Sequence, residues 1–409
     1  MSRIDVSLET GGRTLFAGSL FTHFRGRRLS TSFSYDPNYL ADRAAYDLEP
    51  ALPLDQGAHG FPDGLPYSFK DACPDRWGRE LIRKRLMSSR GAGNGHPREL
   101  TDIDYLLGTS DFTRQGALRF KQEGSADFEA ADTTVPKLIM LPELLAASTQ
   151  VAHDAFGTAS DLAAVKMLLD AGTASLGGAR PKASVLDKEA LSIAKFPHPS
   201  DAWDVMRWEK IALDLARAAG VAVPESRLLT IDGSSVLLLR RFDRDLQARR
   251  IGYISALTLL ERDDGQSGDY VEIADTLATV SEAPAEDLAQ LWRRILVSIY
   301  LHNTDDHLRN HGLLRGKRGW RLSPAFDINP EPVLTHTRAT SIDGVVDAAD
   351  EWSALWGARA WFGLSDEEAQ DIAQEVSAAF IFWKDIARRN GATQKEIELF
   401  APILSRALS

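Results

Sequence analysis

Residues 301–314 read LHNTDDHLRNHGLL: three histidines, two adjacent aspartates, two asparagines and an arginine, framed by apolar residues. They follow LWRRILVSIYL (291–301), which has the pattern of a buried helix. Polar groups this dense at a helix end point to chemistry. Two chemistries compete, a metal site and a loop that handles phosphate. His302, His307 and His311 could bind a metal, with Asp305 or Asp306 adding oxygen. Strong zinc patterns, however, place two ligands on one helical face, as in H-E-x-x-H. Spacings of five and four across a loop do not do so, and each histidine alone reads better as a hydrogen-bonding brace.

The phosphate reading starts from Asp305 and Asn310, which have the D-x-x-x-x-N spacing of a protein-kinase catalytic loop. There an Asp accepts the proton of the substrate hydroxyl and an Asn oxygen ligates Mg2+. Hard cations take oxygen ligands, which Asp and Asn supply. The spacing alone is weak; a second acid in a following hairpin is required. GLL, a turn at RGKRG and WRLSPAFDINP supply it in Asp327, flanked by Phe326 and Ile328. The bland alternative for Asp327 is a turn cap. Upstream, SIAKFP (192–197) sets Lys195 in a short apolar strand, where an ammonium needs a partner. Glu209, beside the apolar face of the next helix, is a candidate partner. Otherwise it is a solvated helix residue. TASLGGARPKASV (173–185) carries Gly177 and Gly178, which let a backbone approach phosphate closely. Gly172 and Gly177 match the separation of a Walker A loop, but Gly178 and Ala179 stand where it needs Lys then Ser/Thr.

The rest of the chain bounds the answer. It has 409 residues and suits two or three domains. A net charge of -11 argues against direct nonspecific binding to nucleic acid. The basic run RWGRELIRKRLMSSR (76–90) reads as a solvated helix face before it reads as a contact surface. The single cysteine, Cys73, allows no internal disulfide, fits a reducing cytosol and reads as buried filler. No apolar run approaches the ~20 residues of a membrane span, and the first residues lack a signal peptide's apolar region. IDVSLE, a Gly11-Gly12 turn and RTLFAGSLF predict strands; 36–66 predicts mostly loop. Helices are expected at 75–90, 99–108, 142–153, 160–171 and 201–219, the last capped by Asp201 and stopped by Gly220. Strands are expected at 116–120, 183–187, 191–196, 226–231 and 235–241. From about 255 onward the pattern is mostly helical.

These motifs together resemble the HipA family of bacterial toxin–antitoxin Ser/Thr protein kinases. The likeness rests on SLGGARPKA (175–183), AKFP (194–197), RRFDR (240–244), HNTDDHLRNHGLL (302–314) and LSPAFDINP (322–330), with FKDACPDRWGRELI (69–82) and GALRF (116–120) for the N-terminal module. It implies an α+β, two-lobed protein-kinase-like fold: a β-containing N-terminal lobe with an extra β-rich module, and a helical C-terminal lobe. It implies domains at 1–125, 140–242 and 243–409. It makes Asp305 the catalytic base, with Asn310 and Asp327 as Mg2+ ligands and Arg309 a positive charge near the transferring phosphate. ATP would be held by Lys195, by the loop Ser175, Leu176, Gly177, Gly178, Ala179, Arg180 and Lys182, by a hinge at Arg240, Arg241 and Phe242, and by His307. Glu209 would pair with Lys195, and Ser175 would be an autophosphorylation site. Two departures stand out: His302 where the family often has Gly, and Arg240 where the hinge often has Glu. The implied role is a cytoplasmic growth-inhibiting toxin, using ATP and Mg2+ to phosphorylate a translation component such as an aminoacyl-tRNA synthetase. Its partner would be a small helix-turn-helix antitoxin (HipB-like), and DNA would be met only through that partner. The rivals are a catalytically silent kinase-like co-repressor and a metal-dependent hydrolase.

Overall fold

The computed structural model describes residues 2–26, 28–89, 99–128, 135–152, 159–172 and 180–408. The loop residues Ser175, Leu176, Gly177, Gly178 and Ala179 lie outside them. The chain forms two compact units. The first comprises residues 1–200, 231–233 and 243–254; the second comprises 201–230, 234–242 and 255–409.

Unit 1 opens with β1 (Ser2–Thr10), β2 (Arg13–Arg25) and β3 (Arg28–Tyr35). The Gly11-Gly12 turn takes positive φ at both residues, as a tight hairpin requires. With β4 (Ala58–Phe61) and β5 (Leu118–Gln122) they make an antiparallel sheet, ordered β4-β3-β2-β1-β5. Alternation puts Ile4, Val6 and Leu8 on its buried face. There Phe69 meets Phe33 and Phe120 edge-on, at 5.5 and 5.2 Å. The stretch 36–66, expected to be loop, also holds a short helix α1 (Pro37–Ala41) and the edge strand β4. Such short elements carry no periodicity to read.

Helices α2 (Tyr67–Asp71), α3 (Arg76–Ser89) and α4 (Asp102–Gly108) follow the sheet. The buried guanidinium of Arg114 donates to the carbonyls of Ala72, Leu106 and Thr109, which the ends of α2 and α4 leave unpaired. Two of the basic charges of α3 are matched: Arg79 to Asp102 at 2.9 Å, and Arg83 to Glu80 at 2.6 Å. Cys73 is buried, as expected. The RRFDR motif turns back onto this module, since Asp243 accepts from the Gly116 N–H and Arg244 donates to the Arg114 carbonyl.

Glu49 is buried, and its carboxylate accepts from the Tyr67 and Ser68 N–H groups that open α2. Burial outweighs those bonds and pushes its pKa up to about 7 from 4.5. The folded state then binds the extra proton between those pH values. Stability should fall as pH rises through that window, by at most about 3 kcal/mol. Glu49→Gln cannot ionise, so its urea stability relative to wild type should be greater at pH 8 than at pH 5. A difference independent of pH would contradict the account.

Next come α5 (Leu141–Ala152), α6 (Ala159–Asp170) and the hairpin of β6 (Lys182–Asp187) and β7 (Ala190–Lys195). Unit 2 begins at α7 (Val205–Ala218), whose N-cap is Asp204 and not the expected Asp201. The Asp204 carboxylate reaches the Arg207 N–H at 3.0 Å, the position that defines a cap. Gly220, at φ +78°, ends the helix as expected. The strands β8 (Ser226–Ile231) and β9 (Ser234–Arg240) follow, then β10 (Tyr253–Ser255) and α8 (Ala256–Leu259). β11 (Gly268–Asp269) leads into α9 (Tyr270–Val280), and α10 (Pro284–Leu301) is the long central helix. The hairpin β12 (Gly312–Arg315) and β13 (Trp320–Leu322) precedes Asp327, and β14 (Thr340–Ser341) pairs in parallel with β11. Helices α11 (Glu351–Ala358), α12 (Asp366–Ile381), α13 (Trp383–Arg389) and α14 (Gln394–Leu404) complete the unit. Trp208 of α7 stacks on Phe400 of α14 at 3.7 Å within this core. Among the described residues, no helix is long and apolar enough to cross a membrane.

Candidate active site

The polar loop begins where α10 ends. His302 is the helix C-cap, in the left-handed region at φ +51°. Glycine favours that position, and a Cβ there costs about 1 kcal/mol. The His302 ring recovers a contact: buried, it lies 3.1 Å from the Val333 carbonyl through Nε2. Burial also holds its pKa below the usual histidine range, so the ring is neutral and donates from Nε2.

Beyond it the two aspartates part company. Asp305 is exposed and Asp306 is buried. Burial would raise the Asp306 pKa, but His311, the Tyr270 hydroxyl and Arg338 hold it down at about 2. Asp305 moves the other way. Desolvation by its surroundings raises its pKa, the charges of Asp327 and Asp306 add to the rise, and His307 opposes it.

The Asn310 side-chain N–H donates to the Asp305 carbonyl at 3.0 Å, which turns the amide so that its oxygen is the end for a cation. Leu308 anchors the same short turn against Gly268 of β11, where a Cβ would stand 2.6 Å from the leucine. Asp327 follows the β12–β13 hairpin at φ +57°, a conformation Asp tolerates better than most residues. Its Oδ1 accepts from the Asn329 amide at 3.3 Å. In unit 2, Asp305 thus lies within electrostatic reach of His307 and Asp327, and Asn310 is bonded to its carbonyl.

The donor chemistry suits a hard divalent cation: carboxylate and amide oxygens, with Asp327 close enough to Asp305 to add to the rise of its pKa. The histidines do not converge as a transition-metal site would need. His302 points to Val333, and His311 lies 3.1 Å from Asp306. Among the described residues, no group of three His, Cys, Asp or Glu is placed to hold a metal. Arg309 pairs with Asp264 at 2.5 Å. At the hinge, Arg240 lies 3.4 Å from Glu225, Arg241 is buried, and the Phe242 ring sits 5.4 Å from Phe326, next to Asp327. Glu209 is buried on the core face of α7.

Unit 1 carries the lysines. Lys182 and Lys195 are cross-strand partners in the β6–β7 hairpin, so they face the same side. Both are buried. Lys182, expected at the nucleotide, has its ammonium 2.8 Å from Asp75, which also caps α3 through the Gly78 N–H. Asp75 thus balances one of the two like charges that face each other.

Sequence reasoning missed what lies beneath the loop. Tyr270, Ser298, Arg338 and Glu351 form a buried polar network around Asp306, described below. The only local signal was the doubled aspartate.

The chain is α+β with a helical C-terminal unit, a fold consistent with the protein-kinase-like architecture. The HipA-like C-terminal domain model matches residues 174–383, and the HipA N-terminal domain model matches residues 13–100. The chain belongs to the HipA family. Among solved structures it is similar to HipA of the Shewanella oneidensis MR-1 toxin–antitoxin system, solved with HipB and its operator DNA. The TM-score is 0.69 at 15% identity, covering 99% of this chain and 96% of that one. The Helicobacter pylori proinflammatory kinase CtkA matches with a TM-score of 0.45 and 15% identity, over 57% of this chain and 90% of that one. No curated protein sequence matches the chain.

Proposed function

We propose that this protein is an ATP- and Mg2+-dependent Ser/Thr protein kinase acting in the cytoplasm as the toxin of a toxin–antitoxin pair. One observation carries the reading. The exposed Asp305 carboxylate stands on a loop whose neighbours, Asn310 and Asp327, offer oxygens suited to Mg2+. Mg-ATP supplies the phosphoryl group and the charge that screens it. Asn310 and Asp327 would hold the cation, and Lys195 would orient the nucleotide phosphates. Asp305 orients the attacking hydroxyl and takes its proton. Little covalent chemistry is left to the protein, so positioning and charge stabilisation supply most of the rate.

The partner we propose is a small helix-turn-helix antitoxin, by analogy with the HipB found in the similar Shewanella complex. The net charge of -11 fits a chain that meets DNA through such a partner. The target we propose is a translation component such as an aminoacyl-tRNA synthetase, and a phosphoproteome taken after expression would identify it.

Two tests follow. Asp327→Asn and Asn310→Ala should each weaken ATP binding in the presence of Mg2+ and leave Mg2+-free binding unchanged. An ATP titration with and without the cation measures this; a variant that retains wild-type magnesium dependence is not a ligand. Ser175 should gain phosphate when active protein meets ATP. The added charge of about −1.5 to −2 beside the nucleotide phosphates should then slow the enzyme. Mass spectrometry of wild-type and Asp305→Ala protein decides. An unmodified Ser175 in demonstrably active, ATP-treated enzyme rejects the switch.

A further inference from the structure

We infer that Asp306 is a positioning residue for the Asp305 centre, a buried anchor that fixes the loop from beneath. The reaction it serves rests on the kinase reading above; the anchoring rests on the geometry of unit 2 alone.

The Asp306 carboxylate joins three elements. The Tyr270 hydroxyl, at the start of α9, donates to Oδ2. The Ser298 hydroxyl, from α10, donates to the same oxygen at 3.3 Å. His311 Nε2 lies 3.1 Å from Oδ1 and closes the loop onto its own far end. A second tier holds Tyr270: Arg338 donates to its hydroxyl at 3.2 Å and pairs with Glu351 of α11 at 2.6 Å. Asp306 and Glu351 balance Arg338 and the buried Arg294, so the cluster is close to neutral.

The backbone is clamped from the same side. The Ala339 N–H donates to the Thr304 carbonyl at 2.8 Å, and the Thr340 hydroxyl donates to the Asp306 carbonyl at 2.7 Å. The Asp305 carbonyl accepts from the His307 N–H and the Asn310 amide, both at 3.0 Å. Three consecutive carbonyls, 304 to 306, are thus held while the Asp305 side chain stands exposed. A doubled aspartate divides the labour: one carboxylate faces solvent, and the other locks the peptide that aims it.

Asp306 does not reach a substrate. It is 6% exposed, and the cavity beside it, lined in part by Arg294, Asn303 and His311, encloses about 20 Å3. That is room for a water and for nothing larger. Loss of an anchor should therefore lower turnover without changing how nucleotide binds.

Amide hydrogen exchange on the full chain tests this directly, in wild type, Asp306→Asn and Tyr270→Phe. Tyr270→Phe keeps the ring and removes only the hydroxyl, so it remains informative if Asp306→Asn fails to fold. The bonded amides of Asn303, His307, Asn310 and Ala339 should exchange about 10- to 100-fold faster in the variants, the worth of one hydrogen bond to a charged group. The α14 amides should be unaffected. Unchanged exchange at those four amides overturns the inference whether or not the protein is a kinase. In phosphoryl transfer, kcat should fall by a similar factor with KM for ATP within about two-fold of wild type. A variant with raised KM and unchanged kcat would also overturn it. A wild type inactive toward ATP would sink the kinase reading instead and leave the exchange result standing.

Discussion

Asp305→Ala should lower phosphoryl transfer by ~10²–10⁴-fold, the usual cost of losing a general base. The fold should not change. Asp305 is exposed, its side chain closes no core, and the contacts that shape its loop run through the backbone of 304–306 and through Asp306. Circular dichroism and urea unfolding of the variant should therefore match wild type. Asp305→Asn is the sharper control, since it keeps the shape and removes the base. Wild-type transfer rates in either variant would remove Asp305 from the mechanism.

Glu351→Ala should cost about 3–5 kcal/mol of stability, the largest effect we expect from a single residue far from the reacting groups. Arg338 and Glu351 are each about 1% exposed in their side chains and lie 2.6 Å apart. Deleting the carboxylate leaves a guanidinium buried without its charge partner, and the protein cannot hydrate it without opening. Removing the whole pair is a different case. Arg338→Met with Glu351→Leu exchanges two buried charges for apolar volume and should recover much of the loss, although Tyr270 then loses its Arg338 bond. Urea midpoints for the single and double variants measure both effects. A single variant within about 1 kcal/mol of wild type would mean that the pair is hydrated in solution.

Much of this was legible in the sequence, for identifiable reasons. Asp305, Asn310 and Asp327 share one loop and its following hairpin, so their relation is a local spacing that chain order preserves. The β1–β2 hairpin announced itself through alternation and Gly11-Gly12. What stayed hidden was non-local. Tyr270, Ser298, Arg338 and Glu351 meet Asp306 from separate segments, and a lone Glu at a helix start or a lone Arg in a loop reads as solvent-facing. The partner of Lys182 was hidden for the same reason: Asp75 lies in a distant segment. The cap of α7 was misplaced because DAWD offers two aspartates, and only geometry decides which one reaches the Arg207 N–H. His302 was noted as a departure from glycine, but its left-handed backbone and its reach to Val333 became visible only in the fold.

The central claim is that the Asp305 loop transfers phosphate from ATP. The most direct measurement incubates the wild-type chain with γ-labelled ATP, with and without Mg2+, and follows label on protein. The account predicts label on protein serine when Mg2+ is present, none when Mg2+ is chelated, and label slowed by ~10²–10⁴-fold with Asp305→Ala. Wild-type protein that binds Mg-ATP and transfers no label to itself, or to the proteins of a cell extract, would contradict it.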